Sequence, residues 1–304
     1  MYDVVIIGGG PAGLTAGIYA ARAKLKTLLI ERGMTGGLAA TTELIENYPG
    51  FSEGIGGPEL MSRMEAQARR FGLEILNSNV ETLQKENLSF IIKTEDTELL
   101  TRTVIIATGA QPQRLNVKGE ETFHGRGVSY CATCDGAFFK DKHVAVVGGG
   151  DAAVEEAMFL TRFAQKVFII HRRGELRATK IVQERARQNP RLEFIWHSIV
   201  EEITGNETVN GVRIKDVRTG QARELAVDGV FIYIGYIPNS SLVKELVKLD
   251  EQGYIITDTN MQTSCPGIFA AGDVRQKSLR QVVTAVADGA IAAVSAEKYL
   301  ERNR

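Results

Sequence analysis

One local pattern occurs twice in the chain, and it constrains the possible folds more than any other feature. Residues 4–13 read V-V-I-I-G-G-G-P-A-G, and residues 144–153 read V-A-V-V-G-G-G-D-A-A. In each copy a β-branched run ends in a glycine triplet, and a helix-forming stretch follows, at 11–23 and at 151–163. A second apolar run comes after each helix. The pattern predicts two β-α-β units of the kind that binds dinucleotides, and therefore an α/β fold.

The small residues of each copy occupy the positions that a bound pyrophosphate requires. The first glycine permits a tight turn, the second lets the backbone approach the phosphates, and the third small residue lets the helix pack on the strand. These positions are Gly8, Gly10 and Gly13 in the first copy, and Gly148, Gly150 and Ala153 in the second. Ordinary strand–helix turns also use glycine, so one copy alone would be weak evidence. Both copies place a polar residue 23 positions after the first glycine, which favours nucleotide binding.

The polar residues that end the second strand differ between the copies. The first copy ends in Glu31, a carboxylate that accepts from ribose hydroxyls, which predicts FAD or NAD. The second copy ends in a basic cluster suited to a 2'-phosphate, which predicts NADPH. The residues of this cluster are His171, Arg172, Arg173 and Arg177. A solvated run of charge is the alternative, because basic residues continue as far as Arg187.

The C-terminal part of the chain carries a third motif. Residues 267–273 read G-I-F-A-A-G-D, which predicts a strand that ends at Gly272 and Asp273. Arg280 and a small-residue helix at 285–296 follow. The Asp273 carboxylate could accept a hydrogen bond from a hydroxyl of a flavin's ribityl chain, and the helix N-terminus could face the flavin ring. An ordinary strand–turn–helix connection is the alternative.

Two of the three cysteines form a C-A-T-C motif at Cys131 and Cys134. Such a pair is typical of a redox site or of half a zinc site, and two unrelated buried thiols are a further alternative. We expect Ser129 to cap a short helix whose first turn contains Cys131, and Asp135 to transfer protons. Cys265 and the four histidines have no second paired spacing, so no metal site is predicted.

Glycine–proline turns at 109–112 and 235–238 bracket the second unit and predict the domain boundaries. The first domain is expected to be discontinuous, at 1–112 and 243–304, with residues 113–242 inserted into it as the second domain. Antiparallel strands are predicted within the two domains at 88–94 and 209–217.

Composition excludes several classes of function. The chain has 304 residues with a formal net charge of -1, which gives no reason to expect nucleic acid or an anionic membrane as a partner. Three cysteines cannot build a disulfide-stapled secreted fold. The N-terminus does not resemble a signal peptide and no apolar run is long enough to span a membrane, so we expect a cytoplasmic protein.

The order of the motifs closely resembles that of the low-molecular-weight, bacterial-type thioredoxin reductases. The first glycine motif is followed by T-T-E-L-I-E-N-Y-P-G at 41–50, C-A-T-C-D-G at 131–136, the second glycine motif, H-R-R-x-x-x-R at 171–177 and G-I-F-A-A-G-D-V-R at 267–275. The resemblance covers essentially the whole chain. It implies two Rossmann-like, three-layer ββα domains, an FAD domain with the NADPH domain inserted into it, and a homodimer.

The resemblance also implies an electron path from NADPH to FAD, to the Cys131–Cys134 disulfide and then to thioredoxin or a related small dithiol protein. Cys134 is expected to face the flavin, Cys131 to attack the partner, and Asp135 to carry the proton. The NADPH domain is expected to rotate about hinges at 111–116 and 238–241. Alternatives are a glutaredoxin-like or peroxiredoxin-linked acceptor, a ferredoxin-linked relative and a non-catalytic flavin sensor.

Further cofactor contacts are expected by the same resemblance. For FAD they are Pro11, Ala12, Arg32, Gly37, Leu38, Thr42, Asn47, Thr108, Gly109, Gln281 and Val282. For NADPH they are Asp151, Ala152, Glu156 and Gly235. The chain departs from the family at Leu38, where Gln is common, and at Ala137, where some members have an aromatic docking residue. We expect at least one of Phe138 and Phe139 to lie in the core.

Overall fold

A computed structural model describes residues 1–42 and 44–303, so Glu43 of the 41–50 motif lies outside it. The chain forms two compact units. The first unit consists of Met1–Gln111 and Ile237–Arg304, and the second unit consists of Pro112–Tyr236. The predicted α/β fold, with one nucleotide-binding unit inserted into the other, is confirmed.

The elements are numbered in chain order. The strands are β1 Tyr2–Ile7, β2 Thr27–Glu31, β3 Glu74–Asn77, β4 Val80–Glu86, β5 Ser89–Thr94, β6 Glu98–Ile106, β7 Ala110–Pro112, β8 Val128–Ser129, β9 His143–Gly148, β10 Lys166–Ile170, β11 Leu192–Ile195, β12 Ser198–Gly205, β13 Val209–Asp216, β14 Ala222–Leu225, β15 Gly229–Tyr233, β16 Tyr236–Pro238 and β17 Ile268–Ala270. The α-helices are α1 Pro11–Arg22, α2 Gly57–Arg70, α3 Ala132–Asp135, α4 Asp151–Leu160, α5 Lys180–Gln188 and α6 Val282–Arg302. Short 3-10 helices occur at Gly37–Thr41, Gly136–Phe139, Ser241–Val243 and Gly272–Val274.

The first unit is built on one seven-stranded sheet in which β3, β2, β1, β6 and β17 are parallel. Strand β5 extends the sheet antiparallel to β6, and β4 pairs antiparallel with β5 at the sheet edge. Alternate residues of β1 face opposite layers: Val4 and Ile6 pack with α1, α2 and α6, whereas Val5 and Ile7 pack with residues of β4 and β5. Because both faces are covered, the strand reads as a continuous apolar run rather than as an alternating one.

The second unit repeats this plan with a five-stranded parallel sheet in the order β11-β10-β9-β15-β8. Val144 and Val146 of β9 pack against α4 and α5. Ala145 and Val147 pack against a separate antiparallel sheet of β12, β13 and β14. The antiparallel strands predicted from the sequence are confirmed as β5 and β13.

The return from the second unit comes earlier than the sequence indicated. The structure assigns residues 237–242 to the first unit, whereas the predicted second domain extended to 242. The observed boundary lies within the glycine–proline turn at 235–238. Asn239 accounts for the difference, because its amide donates to the Thr108 carbonyl at 3.0 Å and its backbone N–H donates to the Gly109 carbonyl at 3.0 Å. Its own carbonyl accepts from the Thr108 hydroxyl at 2.7 Å, so this segment is fastened to the first unit.

Two predicted helices have different ends in the structure. Helix α4 ends at Leu160 rather than at 163, and helix α6 begins at Val282 rather than at 285. Gln281 and Thr284 form a reciprocal capping box at the start of α6. Because the box satisfies N–H groups that would otherwise lack partners, the helix begins earlier than its small-residue run.

Helices α1 and α6 approach each other closely in the first unit. A side chain at Gly289 of α6 would lie 2.1 Å from the carbonyl oxygen of Ala12, which leaves room only for hydrogen. The contact places α6 beside the N-terminal end of α1. Within the part of the chain that the structure describes, no helix is long and apolar enough to cross a bilayer.

Candidate functional site

The glycine turn of the first unit has the geometry of an open phosphate cradle. Gly8 has φ +108°, and a side chain there would lie 2.3 Å from the Ala107 carbonyl oxygen. A side chain at Gly13 would lie 1.8 Å from the carbonyl oxygen of Gly8. At Gly10, the N-cap of α1, a side chain would meet nothing within 4 Å. Helix α1 begins at Pro11, directly after Gly10, so the open turn adjoins a helix N-terminus.

Glu31 lies directly beside this turn. Its carboxylate accepts from the backbone N–H of Gly9 at 2.7 Å and from that of Gly33 at 3.1 Å. Each oxygen keeps a further lone pair with which it can accept from a ribose hydroxyl. The neighbouring Arg32 is exposed.

The 3-10 turn at Gly272–Val274, which carries Asp273, lies against the start of α1. Gly272 has φ +79°, and a side chain there would lie 2.9 Å from the Cβ of Ala12. Oδ1 of Asp273 is buried with no hydrogen-bond partner in the described structure, and burial raises the pKa of this carboxyl. Nε of Arg280 is also buried without a partner, while its guanidinium lies 4.0 Å from the centroid of the Tyr254 ring.

These features fit a flavin adenine dinucleotide. Gly10 leaves the space and the helix N-terminus that a pyrophosphate needs, and Glu31 offers the acceptor that a ribose needs. The orphaned oxygen of Asp273 needs a donor, and a ribityl hydroxyl is one. A buried acceptor without a partner is costly unless a ligand satisfies it.

Other residues predicted to contact FAD lie nearby in the first unit. A side chain at Gly37 would lie 3.5 Å from the Cα of Gly10, which places the 3-10 helix at Gly37–Thr41 beside the turn. Asn47 donates to the side chain of Gln281 at 3.1 Å, although 234 positions separate the two residues. Leu38 belongs to the 3-10 helix, Thr42 directly follows it, Thr108 and Gly109 follow β6, and Val282 is the first residue of α6.

The second glycine turn repeats the first with small changes. Gly148 has φ +154°, and a side chain at Gly150 would meet nothing within 4 Å. Ala153 occupies the place of Gly13 and is buried. Asp151 begins α4 and accepts from the backbone N–H of Thr179 at 2.7 Å. The turn is therefore also an open cradle at a helix N-terminus, with Ala152 and Glu156 on the same helix.

The basic loop of residues 172–177 folds back onto this turn. The backbone N–H of Arg177 donates to the Gly149 carbonyl at 2.7 Å. The ring of His171 lies against Gly149, and its Nε2 has no partner in the described structure. Burial and then the charges of Arg177 and Arg173 lower the pKa of His171. Arg172, Arg173 and Arg177 are exposed beside the cradle. The structure thus brings the predicted basic residues together at the glycine turn.

Cys131 and Cys134 form a disulfide with their Cα atoms 5.3 Å apart. The prediction that Ser129 caps the helix is wrong. Cys131 is itself the N-cap of α3, and its Sγ accepts from the backbone N–H of Cys134 at 3.2 Å. The Ser129 hydroxyl instead accepts from the backbone N–H of Cys131 at 3.0 Å, so it holds the residue that precedes the helix. Asp135 is the last residue of α3.

The surroundings of the three cysteines bear on the alternatives that the sequence left open for the C-A-T-C pair. Cys265 is a free, buried thiol. Among the described residues, no group of three or more histidine, cysteine, aspartate or glutamate side chains could hold a metal ion. Cys131 and Cys134 are bonded to each other rather than being unrelated thiols.

Helix α3, which begins directly after Cys131 and contains Cys134, is called the redox helix below. Tyr233 contacts this helix and was not identified from the sequence. Its hydroxyl oxygen accepts from the backbone N–H of Ala132 at 2.7 Å, and it is the last residue of β15. Burial, followed by the charge of Glu156, raises the pKa of Tyr233, so the phenol stays protonated. The register pairs Tyr233 with Gly148. Its position two residues before Gly235, which has φ +145°, was the available sequence signal.

Glu120 is a second residue that sequence reasoning missed. It is buried, and its carboxylate accepts from the backbone N–H groups of Leu115 at 2.8 Å and Asn116 at 2.6 Å. It also accepts from the hydroxyl of Tyr130 at 2.7 Å. Because Tyr130 immediately precedes Cys131, one carboxylate joins the first residues of the second unit to the redox motif.

The two phenylalanines after the motif have different environments. Phe139 is buried against Phe231, whereas Phe138 is 74% exposed. Phe138 borders a groove of about 260 Å³ that also contains Asp135, Lys142 and Asp228. The groove lies beside the redox helix and has apolar and charged walls.

Comparisons with known proteins agree with these features. The model of the family described as pyridine nucleotide-disulphide oxidoreductase matches residues 2–289. A thioredoxin reductase from Peptoclostridium acidaminophilum is 51% identical over 309 residues, which covers 100% of this chain and 98% of the relative. One from Bacillus subtilis is 51% identical, covering 99% of this chain and 95% of the relative. The solved structure of Lactococcus lactis thioredoxin reductase is 50% identical, with a TM-score of 0.98 and coverage of 99% and 100% of the two chains.

Proposed function

Because the chain belongs to the pyridine nucleotide-disulphide oxidoreductase family, we propose that it is an NADPH-dependent thioredoxin-disulfide reductase and an FAD flavoprotein. The observation that carries the proposal is the Cys131–Cys134 disulfide in a chain with two open glycine turns, one of them beside a basic cluster. The disulfide needs a source of electrons to become a dithiol, and the two cradles provide places for a flavin and a nicotinamide nucleotide.

The first unit holds the flavin in this proposal. The open turn at Gly10 takes the pyrophosphate, Glu31 accepts from the ribose, and Asp273 accepts from the ribityl chain. The chemistry that FAD supplies when bound is the exchange of an electron pair between NADPH and a disulfide.

The second unit holds NADPH and the disulfide. Arg172 and Arg177 bind the 2'-phosphate, and the neutral imidazole of His171 adds no charge of its own. Two electrons and two protons convert the Cys131–Cys134 disulfide to two thiols, and Asp135 carries protons to and from the pair. The Cys131 thiolate attacks a thioredoxin disulfide, and the Cys134 thiolate then displaces thioredoxin as its dithiol.

Two connections join the units, at Gln111–Pro112 and at Tyr236–Ile237. The proposal includes rotation of the second unit about hinges at 111–116 and 238–241, so that the nicotinamide and the disulfide reach the flavin in turn. It also includes a homodimer in the cytoplasm. A net charge of -1 gives no reason to expect nucleic acid or an anionic membrane as a partner.

The proposal is tested with the purified protein and the thioredoxins of the same organism. A yellow protein that NADPH bleaches, and that then reduces thioredoxin catalytically, is expected. Bleaching by reduced ferredoxin but not by NADPH would instead favour the ferredoxin-linked alternative. Turnover with a glutaredoxin-like or peroxiredoxin-linked carrier, without turnover of thioredoxin, would favour the other acceptor class.

Replacing the attacking cysteine separates the two halves of the reaction. Cys131→Ser is expected to abolish thioredoxin reduction while NADPH still bleaches the flavin, because the serine hydroxyl cannot attack a disulfide. Cys265→Ser is the matched control, since this buried thiol has no redox partner, and it is expected to retain both activities. Full thioredoxin turnover by Cys131→Ser would contradict the role assigned to the pair.

A further inference from the structure

Helix α6 carries one buried carboxylate among small residues, and three donors converge on it. Asp288 is 6% exposed. Its Oδ2 accepts from the backbone N–H of Gly272 at 3.1 Å and from Nζ of Lys277 at 2.8 Å. Its Oδ1 accepts from the guanidinium of Arg275 at 3.1 Å. The Lys277 side chain is itself only 7% exposed. A buried ammonium in this position is held in place by Asp288.

The cluster lies at the turn that carries Asp273. The backbone N–H of Gly272 donates to Asp288, and Gly272 immediately precedes Asp273. Gly272 and Asp273 both belong to the 3-10 helix at Gly272–Val274. Asp288 therefore fixes the backbone from which the Asp273 side chain extends. The orphaned Oδ1 of Asp273 shows that this side chain has unused accepting capacity.

The charges around Asp273 oppose one another. Burial and the like charge of Asp288 raise its pKa, whereas the charges of Lys277 and Arg280 lower it. Helix α1 also packs on this turn, where it presents the methyl group of Ala12. Lys277 therefore binds Asp288 directly, and its positive charge lowers the pKa of Asp273.

We propose that Lys277, held by Asp288, is a positioning residue for flavin binding that keeps Asp273 available as a carboxylate acceptor for a ribityl hydroxyl. The inference rests on the proposed function, because it needs FAD as the ligand. Lys277 is assigned this role because it binds Asp288, the carboxylate that supports the backbone of the turn, and because its charge also lowers the pKa of Asp273.

The test measures FAD affinity of the FAD-free protein between about pH 6 and pH 8.5, from the quenching of flavin fluorescence. Without the ammonium, burial and Asp288 raise the pKa of Asp273 further, so the carboxylate is lost at a higher pH. For Lys277→Met we expect the acid-side loss of affinity to begin at a higher pH, which makes binding up to about tenfold weaker at the acid end of this range. Near pH 8.5 its affinity is expected to approach that of the wild type.

Three variants serve as controls. Lys277→Arg keeps the charge and is expected to keep the wild-type pH profile. Lys93→Met removes an exposed lysine of the first unit and is expected to change nothing. Asp273→Asn combined with Lys277→Met is expected to give weak binding that no longer depends on pH, because no carboxyl remains to titrate at that position.

The outcomes distinguish this inference from the proposed function. If Lys277→Met weakens binding by the same factor at every pH, Lys277 has only a structural role and the inference is overturned. If the wild-type protein binds no FAD at any pH, the proposed function itself fails. Lys277→Gln keeps a donor toward Asp288 without the charge, and its pH profile decides the question should Lys277→Met not fold.

Discussion

Single residues of the two glycine turns show how the same backbone plan adapts to different ligands. The first turn has Glu31 beside it, and the second has the backbone of Arg177 bound to its Gly149 carbonyl. The sequence predicted an acidic residue at the first turn and a basic cluster at the second. It could not predict that Arg177 is anchored through its main chain, since that contact depends on how the loop folds back.

The basic cluster leads to a prediction at this scale. Replacing Arg172 and Arg177 with neutral residues should raise the apparent KM for NADPH by about tenfold or more per arginine, because charge-assisted phosphate contacts contribute roughly 1.5–3 kcal/mol each. Steady-state kinetics with NADPH and with NADH measure the effect. NADH lacks the 2'-phosphate, so its KM is expected to change little, and equal changes for both nucleotides would remove the assignment.

Among the elements, the redox helix α3 departs most from what its sequence predicted. Four residues cannot hold a stable helix alone, so its position depends on contacts from elsewhere. Cys131 caps it, Ser129 holds the preceding residue, and Tyr233 binds its first N–H from the end of β15. The expectation for Ser129 failed because its hydroxyl reaches the nearer backbone group, that of Cys131.

The support from β15 is testable by removing one oxygen. Tyr233→Phe leaves the N–H of the fully buried Ala132 without its acceptor, which is expected to destabilise the second unit by about 1–3 kcal/mol. Urea unfolding followed by circular dichroism measures this. Tyr19→Phe, at a 47% exposed position on α1, is the control and is expected to unfold like the wild type. Identical stability of both variants would show that this hydrogen bond contributes nothing.

The whole molecule consists of two units with the same three-layer plan, one inserted into the other. Each encloses its parallel sheet between helices on one face and antiparallel strands on the other. The sequence predicted this duplication, because both copies need continuous apolar strands and glycine turns. It placed the return connection six residues late, because the attachment of Asn239 to Thr108 and Gly109 is a tertiary contact.

If the units must reorient during turnover, joining them covalently should separate the half-reactions. An amine-reactive crosslinker that joins the units is expected to abolish thioredoxin turnover while one half-reaction, such as bleaching by NADPH, survives. A monofunctional reagent of the same chemistry modifies lysines without joining them and is the control. Turnover by the crosslinked protein equal to that of this control would exclude rotation.

The sequence by itself determined the α/β class, the two nucleotide turns, the redox pair and the charge at each second strand. These features depend on residues close together in the chain, where local sterics and periodicity act directly. Only the tertiary structure revealed Tyr233 beneath the redox helix, Glu120 between Asn116 and Tyr130, and Lys277 bound to Asp288. Each of these is a buried polar group whose partners come from elsewhere in the fold, and burial is what makes such hydrogen bonds necessary.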